Sequence, residues 1–486
     1  MGRSIIGTNV NHYKAIENLG RLPGLALILF CSFSALQAES TLNFPRLSFD
    51  PTTFTGIAIV NPTDEDATVT LTAYGEDGTP VAGVTNPTEI LVAANQQFAD
   101  VTSSLFVGQI DPATIAWFQA TSPVDGLTGF FLFLNSPPTT QFDGADLPVP
   151  ATRMVFPQVL LNSGYTTELN LINPNLATAT LELKLIGANP TATQSLSLPS
   201  LGVARLDVAE LFSTVSLDSD AYVTISSNLA VSGFELVRSP DGDLVGLNAR
   251  SGTEQLTQLY FPQVAVLGPF GTSVGVINNA SSAVILTFSV FQPDGSLYDT
   301  QNLLNNPVTR NLTSGEILVE DLVSLFGFSG ENLLDGWLQV ESSSPAVTGF
   351  LTYGTPSTGS AATVTPSRLG QNRAIFSHLE TSQGFFTGLA VLNPGQLAAN
   401  VQTVVLTKTG ELVGNSSTVL QPGQRFSQLI DQLVPEAQGQ SGGLIFFKKR
   451  CARLRLFAFR IQRRPGAGQH PPSAGSRGLR PRWHAA

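Results

Sequence analysis

A short apolar strand that ends in asparagine occurs four times in this chain of 486 residues. The four strand ends read IVNPT, LINPN, VINNA and VLNPG. A phenylalanine stands seventeen residues before each asparagine, whereas the distance from one asparagine to the next varies from 105 to 115 residues. A constant internal spacing with a variable outer spacing places insertions in loops, so the chain is predicted to hold four copies of one unit. The asparagines are Asn61, Asn173, Asn278 and Asn393.

The interior of each unit has the pattern of β-strands. Eight, ten and twelve residues after each asparagine the side chains are almost all apolar, as in Val69, Leu71 and Ala73, and the positions between them are mostly polar. A period of two indicates a strand with one buried face. Turns such as EDGTP and PDGSL follow, and their glycines adopt positive φ at low cost, which favours hairpins.

A short helical turn is predicted later in each unit, in the segments QQFADVTSSLF, ARLDVAELF, LVEDLVSLF and RFSQLIDQL. Asp100, Asp207, Asp321 and Ser427 are the candidate N-caps. Two further strands follow, the second of which begins with Gly-Phe in the first three units. About 105 residues with six to eight strands fit one β-sandwich. The predicted fold is therefore all-β, with four tandem β-sandwich modules at 44–150, 154–250, 258–355 and 374–447.

The segments between the units are rich in Pro, Thr, Ser and Gly, as in residues 135–153 and 354–373. Such composition is typical of partly extended linkers. We therefore expect a rod or a bent string of four modules.

The N-terminus resembles an export signal. Three basic residues precede the apolar run LPGLALILFCSFSALQA, and Ala38 stands at a suitable cleavage position. Residues 1–38 are predicted to be a signal peptide that forms a helix, with a retained membrane anchor as the alternative. No second hydrophobic segment of spanning length occurs, so no transmembrane segment is expected after signal removal.

The charge divides the chain into an acidic body and a basic end. Residues 39–447 hold eleven Lys or Arg against 35 Asp or Glu, and residues 448–486 hold eleven Lys or Arg and no acid. An acidic body is a poor partner for nucleic acid, because phosphates need cationic side chains. Secretion or display at the cell surface is the expected location.

The fourth unit ends after GLIFF, before the Gly-Phe strand that the other units have. Composition then changes within one residue to Arg- and Pro-rich. Residues 448–486 are predicted to be a disordered basic tail, and a shifted reading frame is the favoured explanation. A genuine basic tail that binds an anionic polymer is the alternative.

One segment matches an enzyme motif. GTSVG, residues 271–275, has the Gly-x-Ser-x-Gly form of a nucleophile elbow, which requires a strand, a strained turn and a helix. Ser273 instead leads into an apolar strand, so the match is interpreted as chance. His378 is the one histidine of residues 39–447 and is interpreted as a loop or strand-edge residue. No catalytic residue and no enzymatic activity are predicted, and the ligand-binding residues are unknown.

Metal and cofactor sites are not predicted. Cys31 and Cys451 lie outside the body, which excludes a cysteine zinc site and a disulfide there. Asp64, Glu65 and Asp66 form a weak calcium candidate, but their spacing does not match an EF-hand. Solvated turn residues are the simpler interpretation.

Trp117, Tyr222 and Trp337 recur at one position of the unit. A sugar-stacking platform is one reading of this pattern. We instead expect core aromatics, since a buried tryptophan is common in sandwich cores.

The repeated Phe-Pro, the strand that closes on Val-Asn-Pro, the Asp-Gly hairpin and the late Gly-Phe resemble tandem Ig-like or fibronectin-like modules of secreted bacterial surface proteins. The resemblance covers about residues 44–447 and lies in architecture. It implies a spacer, an adhesive unit or an appendage to an exported enzyme. The expected function is a structural or adhesive spacer. The alternative is a carbohydrate- or polymer-binding protein, and a hydrolase built on Ser273 is a third. The expected partner is an extracellular protein or polysaccharide.

Overall fold

In the computed structural model the described residues, from Glu39 onward, belong to one compact unit. The predicted signal helix lies outside the described residues. Within the described part, no helix is long and apolar enough to cross a membrane. The structure describes residues 39–47, 53–106, 114–135, 142–161, 163–187, 191–215, 220–240, 242–266, 270–299, 304–328, 334–355, 360–366, 373–382, 384–449, 455–458 and 462–463.

The described chain is all-β with several antiparallel sheets, as predicted. The four sequence units are called repeats 1 to 4 below. Repeat 1 forms two four-stranded sheets, of order β1-β6-β3-β4 and β5-β2-β7-β8. Its elements are β1 Ser40–Phe44, β2 Thr53–Val60, β3 Ala67–Tyr74, β4 Thr88–Val92, β5 Gln97–Val101, α1 Thr102–Leu105, β6 Trp117–Ser122, β7 Thr128–Asn135 and β8 Phe142–Asp146.

Repeat 2 has the same strand neighbours, but its sheets join into one of eight strands. They join because β14 continues through both positions that β6 and β7 occupy in repeat 1. Its first part pairs with β9 and β11, and its second part pairs with β10 and β15. The elements are β9 Ala151–Val159, β10 Thr166–Ile172, β11 Ala179–Ile186, β12 Ala192–Leu198, β13 Val203–Asp207, α2 Val208–Leu211, β14 Ala221–Arg238, β15 Leu244–Asn248 and β16 Arg250–Ser251.

Repeat 3 returns to two four-stranded sheets, of order β17-β22-β19-β20 and β21-β18-β23-β24. Strands of both sheets contribute to one hydrophobic core, to which the short helix adds Leu322 and Phe326. The elements are β17 Gln258–Val266, β18 Gly271–Asn278, β19 Val284–Phe291, β20 Val308–Leu312, β21 Ile317–Asp321, α3 Leu322–Phe326, β22 Leu334–Ser342, β23 Val347–Thr355 and β24 Ser360–Val364.

Repeat 4 has one four-stranded sheet, β25-β31-β28-β29, a three-stranded sheet, β30-β27-β32, and the pair β26-β33. The predicted tail supplies β32 and β33, and β32 lies beside β27 where β7 lies beside β2 in repeat 1. The rest of the predicted tail lies outside the described residues. The elements are β25 Arg373–Phe376, β26 Phe385–Phe386, β27 Gly388–Leu392, β28 Ala399–Leu406, β29 Leu412–Leu420, β30 Arg425–Leu429, α4 Ile430–Leu433, a 3-10 helix Pro435–Ala437, β31 Leu444–Lys449, β32 Arg455–Ala458 and β33 Gln462–Arg463.

The period-two pattern is confirmed in all four repeats. Val69, Leu71 and Ala73 on β3 are fully buried, and so are the corresponding side chains of β11, β19 and β28. The short helix is also present in each repeat. Its predicted N-caps are confirmed at Asp207 and Asp321, whose carboxylates accept backbone N–H bonds. In repeats 1 and 4 the helix begins later, so Asp100 and Ser427 are not its caps.

The expected rod or bent string differs from the structure at one point, because the first and fourth repeats meet. The described residues form one compact unit, and repeat 1 contacts repeat 4 as well as repeat 2. The predicted linkers are partly strands, since β8 pairs with β7 and β24 pairs with β23. Sequence composition indicated partly extended linkers there, but strand pairing with the preceding Gly-Phe strand decided the structure of these segments.

Candidate functional site

The repeated asparagine is a buried clamp on the loop that follows it. Asn278 is fully buried, and its Nδ2 donates to the carbonyls of Ser282, Leu312 and Thr313 at 2.9, 3.1 and 2.9 Å. Its Oδ1 accepts the backbone N–H of Ala280 at 2.9 Å. One amide therefore satisfies backbone groups of two loops that would otherwise be buried without partners. Asn173 and Asn393 form the same four bonds, and Asn61 forms the acceptor bond and two of the three donor bonds.

The apolar residue before each asparagine packs against the preceding repeat. Ile172 of repeat 2 lies in a buried cluster with Tyr74 and Trp117 of repeat 1, whose rings stack at 4.9 Å. Leu392 of repeat 4 packs in the same way on Tyr260 and Trp337 of repeat 3. The equivalent contacts of the other repeats join Ile277 to Tyr222 and Val60 to Leu444 and Phe446.

The glycine-containing hairpin turns also contact the next repeat. The carbonyl of Glu76 accepts the N–H of Val203 at 3.1 Å. Gly78 has φ +83°, and an added Cβ would lie 2.0 Å from the carbonyl oxygen of Ser200, so this docking requires glycine. The same backbone bond joins Arg425 N to Pro293 O and Gln97 N to Lys408 O, each at 3.0 Å.

A third contact between repeats comes from the residue two positions after the phenylalanine that stands seventeen residues before each asparagine, called the marker phenylalanine below. Arg46 forms an ion pair with Glu168 of repeat 2 at 2.7 Å, and Gln158 contacts Thr352 of repeat 3. Burial alone would raise the pKa of Glu168, but the Arg46 guanidinium holds it below its ordinary value. Gln263 accepts a bond from Arg425 of repeat 4. In repeat 4 this position is His378, whose ring stacks on Phe130 of repeat 1 with centroids 5.9 Å apart.

These contacts close a cycle. We call them junctions 1/2, 2/3, 3/4 and 4/1, after the repeats that they join. Each junction has an apolar residue before an asparagine, a cluster on the preceding repeat and the residue two positions after the marker phenylalanine. The last repeat thus meets the first through the same positions that join neighbours along the chain.

The three recurring aromatics are buried, but not in the cores where they were expected. Trp117, Tyr222 and Trp337 are at most 3% exposed and lie at junctions 1/2, 2/3 and 3/4. The indole N–H of Trp117 donates to the carbonyl of Leu201 at 2.7 Å, and the hydroxyl of Tyr222 donates to that of Gly315 at 2.9 Å. Because their rings are covered by the next repeat, they offer no stacking surface for a sugar.

Ser273 lies within β18 and pairs with Asp321 and Thr352 on the neighbouring strands. Ser273 is therefore a residue inside a strand and not at a turn between a strand and a helix, which agrees with the interpretation from the sequence. His378 lies in the loop after β25, again as interpreted, but it is part of junction 4/1. Ser273 and His378 therefore belong to different repeats and different environments.

The calcium candidate is an exposed turn. Asp66 accepts the backbone N–H of Ala94 at 2.9 Å, and Asp64 accepts the side-chain amide of Asn95 at 3.3 Å. The carboxylates thus tie one loop to another. Among the described residues, no group of three or more His, Cys, Asp or Glu side chains is placed to hold a metal ion.

A shallow polar cleft of about 400 Å³ lies on the outer sheet face of repeat 3. Glu341 projects into it, and one carboxylate oxygen accepts the side-chain amides of Gln258 and Gln339, both at 3.0 Å. This arrangement orients the carboxylate and leaves Oε2 for another donor. The lining is Thr257, Gln258, Ile285, Thr287, Glu341, Ser342 and Ser343.

Glu235 on β14 is a fully buried carboxylic acid that the sequence pattern did not reveal. It pairs with Leu169, at the position that Phe131 and Leu351 occupy in repeats 1 and 3. Burial raises the pKa of Glu235 well above its ordinary value, and the backbone of Gln158 offsets this only in part. The acid is therefore held in its neutral form more firmly than in the unfolded chain.

We expect the replacement Glu235→Leu to stabilise repeat 2 by about 1–3 kcal/mol near neutral pH, since it removes a polar group from an apolar site. A raised folded-state pKa contributes stability at acid pH that is lost as pH rises. The wild-type free energy of unfolding should therefore fall with rising pH above about 4.5, relative to the variant. Urea unfolding at several pH values checks this. Glu182→Gln, at an exposed site of the same repeat, is the control and should change stability by less than about 0.5 kcal/mol.

Comparison with known proteins yields little likeness. No family model matches the chain, and no curated protein matches it. One solved structure that matches is described as the tetra-tandem repeat in the extending region of a large adhesion protein. The two sequences are 12% identical, and the alignment covers 87% of this chain and 97% of the solved one, with a TM-score of 0.12. At that TM-score the likeness carries no inference about function.

Proposed function

We propose that the chain is a secreted or surface-attached, non-enzymatic protein with a structural or adhesive role. In this proposal, residues 44–150, 154–250, 258–355 and 374–447 are four Ig-like β-sandwich modules. The closed cycle favours a compact scaffold over an extended spacer, because the first and last repeats meet and cannot separate two attachment points.

One observation carries the proposal. A binding function shared by all repeats would use the side chains that recur from repeat to repeat. These side chains are instead buried in contacts within the protein. The four asparagines clamp loops, and Trp117, Tyr222 and Trp337 are covered at junctions. Because the recurring residues serve packing, the repetition supports a scaffold role. Any binding site would then use residues that differ between repeats.

Binding of a carbohydrate is a second candidate, favoured by the cleft on repeat 3. Its volume lies in the range of small-ligand sites, at roughly 300–1,000 Å³. Thr, Ser and Gln side chains around an oriented carboxylate match the hydroxyl groups of a sugar, and Ile285, 53% exposed, offers an apolar surface for a ring face.

Binding assays with the full chain separate the two candidates. We expect no retention on cell-wall polysaccharide or on immobilised neutral glycans if the role is purely structural. Retention that is lost in Glu341→Gln, and kept in the exposed control Glu411→Gln, would establish the carbohydrate reading instead. Ester hydrolysis that disappears in Ser273→Ala would contradict the non-enzymatic assignment.

A further inference from the structure

In each repeat, the strand that follows the glycine-containing hairpin turn lies at the edge of its sheet. These strands are β4, β12, β20 and β29, and within the described residues each pairs with a neighbouring strand on one side only. The backbone N–H and C=O groups on the free side of an edge strand can pair with a strand of another chain. Natural β-proteins prevent this with short edge strands, charged side chains and prolines.

The edges of repeats 1 and 3 carry these protections. β4 and β20 are each five residues long, and each begins directly after a proline, Pro87 or Pro307. Each also holds a charged residue, Glu89 on β4 and Arg310 on β20. A second chain that approaches either strand therefore meets a short edge with a charge on it.

The edges of repeats 2 and 4 are longer and uncharged. β12 has seven residues, and a bulge in β29 leaves seven of its residues, Gly414–Leu420, in regular pairing with β28. No charged residue stands between Lys184 and Arg205 or between Glu411 and Arg425. A long edge without charge is the usual condition for strand pairing between chains.

The outer faces of β12 and β29 complement each other. Their outward side chains are exposed on both strands. In an antiparallel pairing centred on two serines, the residues that face each other are Thr193 with Val419, Ser195 with Ser417, and Ser197 with Asn415. Pairs of β-branched side chains, and pairs that hydrogen-bond, stabilise neighbouring strands. If β29 paired with its own copy about Ser417, Val419 would instead face the amide of Asn415.

We propose that copies of this chain assemble end to end, with β29 of one copy pairing antiparallel with β12 of the next. One chain supplies both strands, and the acidic body repels a second copy elsewhere on its surface. Repeats 2 and 4 are not neighbours in the closed cycle, because every junction joins one of them to repeat 1 or repeat 3. The two edges therefore lie on different sides of the cycle, so one copy can pair with two others. Such a contact between unlike surfaces builds a filament when it does not close into a ring.

Two charge variants of the full chain test this pairing. Ser195→Lys with Ser417→Lys sets like charges opposite each other in the proposed contact, whereas Ser195→Lys with Ser417→Glu sets opposite charges there. Sedimentation velocity measures the average mass of each protein over a series of concentrations. We expect the wild type to rise at least about twofold above the mass of one chain, since each copy pairs with two others. The double-lysine variant should stay monomeric, and the lysine–glutamate variant should assemble as the wild type does.

Thr309→Lys is the matched control, because Thr309 is an exposed residue on the edge strand of repeat 3. It should leave the assembly unchanged. If the double-lysine variant does not fold, Ser197→Lys with Asn415→Lys takes its place, since these residues face each other in the same pairing.

A wild type that stays monomeric at every concentration overturns the proposal, and so does assembly of the double-lysine variant, since the contact then lies elsewhere. Loss of assembly in both charge variants also overturns it, because that result indicates that each strand pairs with its own copy. Assembly extends the proposed scaffold role without being required for it. The binding assays on polysaccharide therefore test that role separately.

Discussion

Replacement of Asn278 by alanine is expected to lower the free energy of unfolding by about 3 kcal/mol or more. The side chain is fully buried and makes three donor bonds and one acceptor bond to backbone groups. Each buried group that loses its partner costs about 1–3 kcal/mol, and alanine replaces none of these bonds. Asn278→Asp should be at least as damaging, since it exchanges two N–H donors for a buried negative charge facing carbonyl oxygens.

Asn279 is the control for this effect, because it is the next residue and is only partly buried. Asn279→Ala should change stability by less than about 0.5 kcal/mol. Urea unfolding of the full chain measures the loss, and hydrogen exchange assigns it to repeat 3. Equal effects of the two variants would show that the loop, and not the amide clamp, determines the stability.

Replacement of Arg425 by leucine is expected to cost about 1–3 kcal/mol, because it removes a buried guanidinium and leaves Asp335, whose side chain is 33% exposed, and Gln263 without their donor. The side chain is 1% exposed and contacts Asp335 and Gln263 across junction 3/4. Burial lowers the pKa of Arg425, and Asp335 counteracts this, so the guanidinium stays charged in its site. Leucine leaves Asp335 without its cation.

A double-mutant cycle separates the ion pair from the packing. Arg425→Leu combined with Asp335→Leu should recover most of the loss, because no unpaired charge then remains at the junction. Arg310→Leu is the comparison, since the Arg310–Glu320 pair within repeat 3 is about a third exposed. We expect it to cost no more than about 1 kcal/mol. If the double variant is as unstable as Arg425→Leu, the pair is not the source of the effect.

The junction residues were the part of the molecule that sequence reasoning missed. A signal was present, because the position two after the marker phenylalanine holds Arg, Gln, Gln and His, which are long or titratable side chains next to a buried strand. From sequence, the apolar residue before each asparagine is recognised only as the end of a strand. Neither pattern indicates which surface these residues contact. The periodicity of apolar residues along a strand shows that one face is buried, but it does not show what covers that face.

Glu235 is a second residue whose environment could not be predicted from the sequence. Its neighbours Phe234 and Leu236 and the Gly-Phe strand itself were predicted as part of β-structure, and β14 confirms that. The repeat comparison aligns Glu235 with Phe131 and Leu351, so an acid in an apolar position was visible in principle. Its complete burial depends on how β14 and β15 pack, which is a property of the folded repeat.

The sequence by itself determined the β-strands, their buried faces, the turn glycines and the number of repeated segments. Each of these follows from local periodicity and backbone preference, which act over a few residues. The tertiary structure decided that repeat 4 meets repeat 1, that the recurring aromatics lie at junctions, and that Asn278 and its equivalents clamp two loops. These depend on groups hundreds of residues apart, or on loops from different strands, which come together only when whole sheets pack.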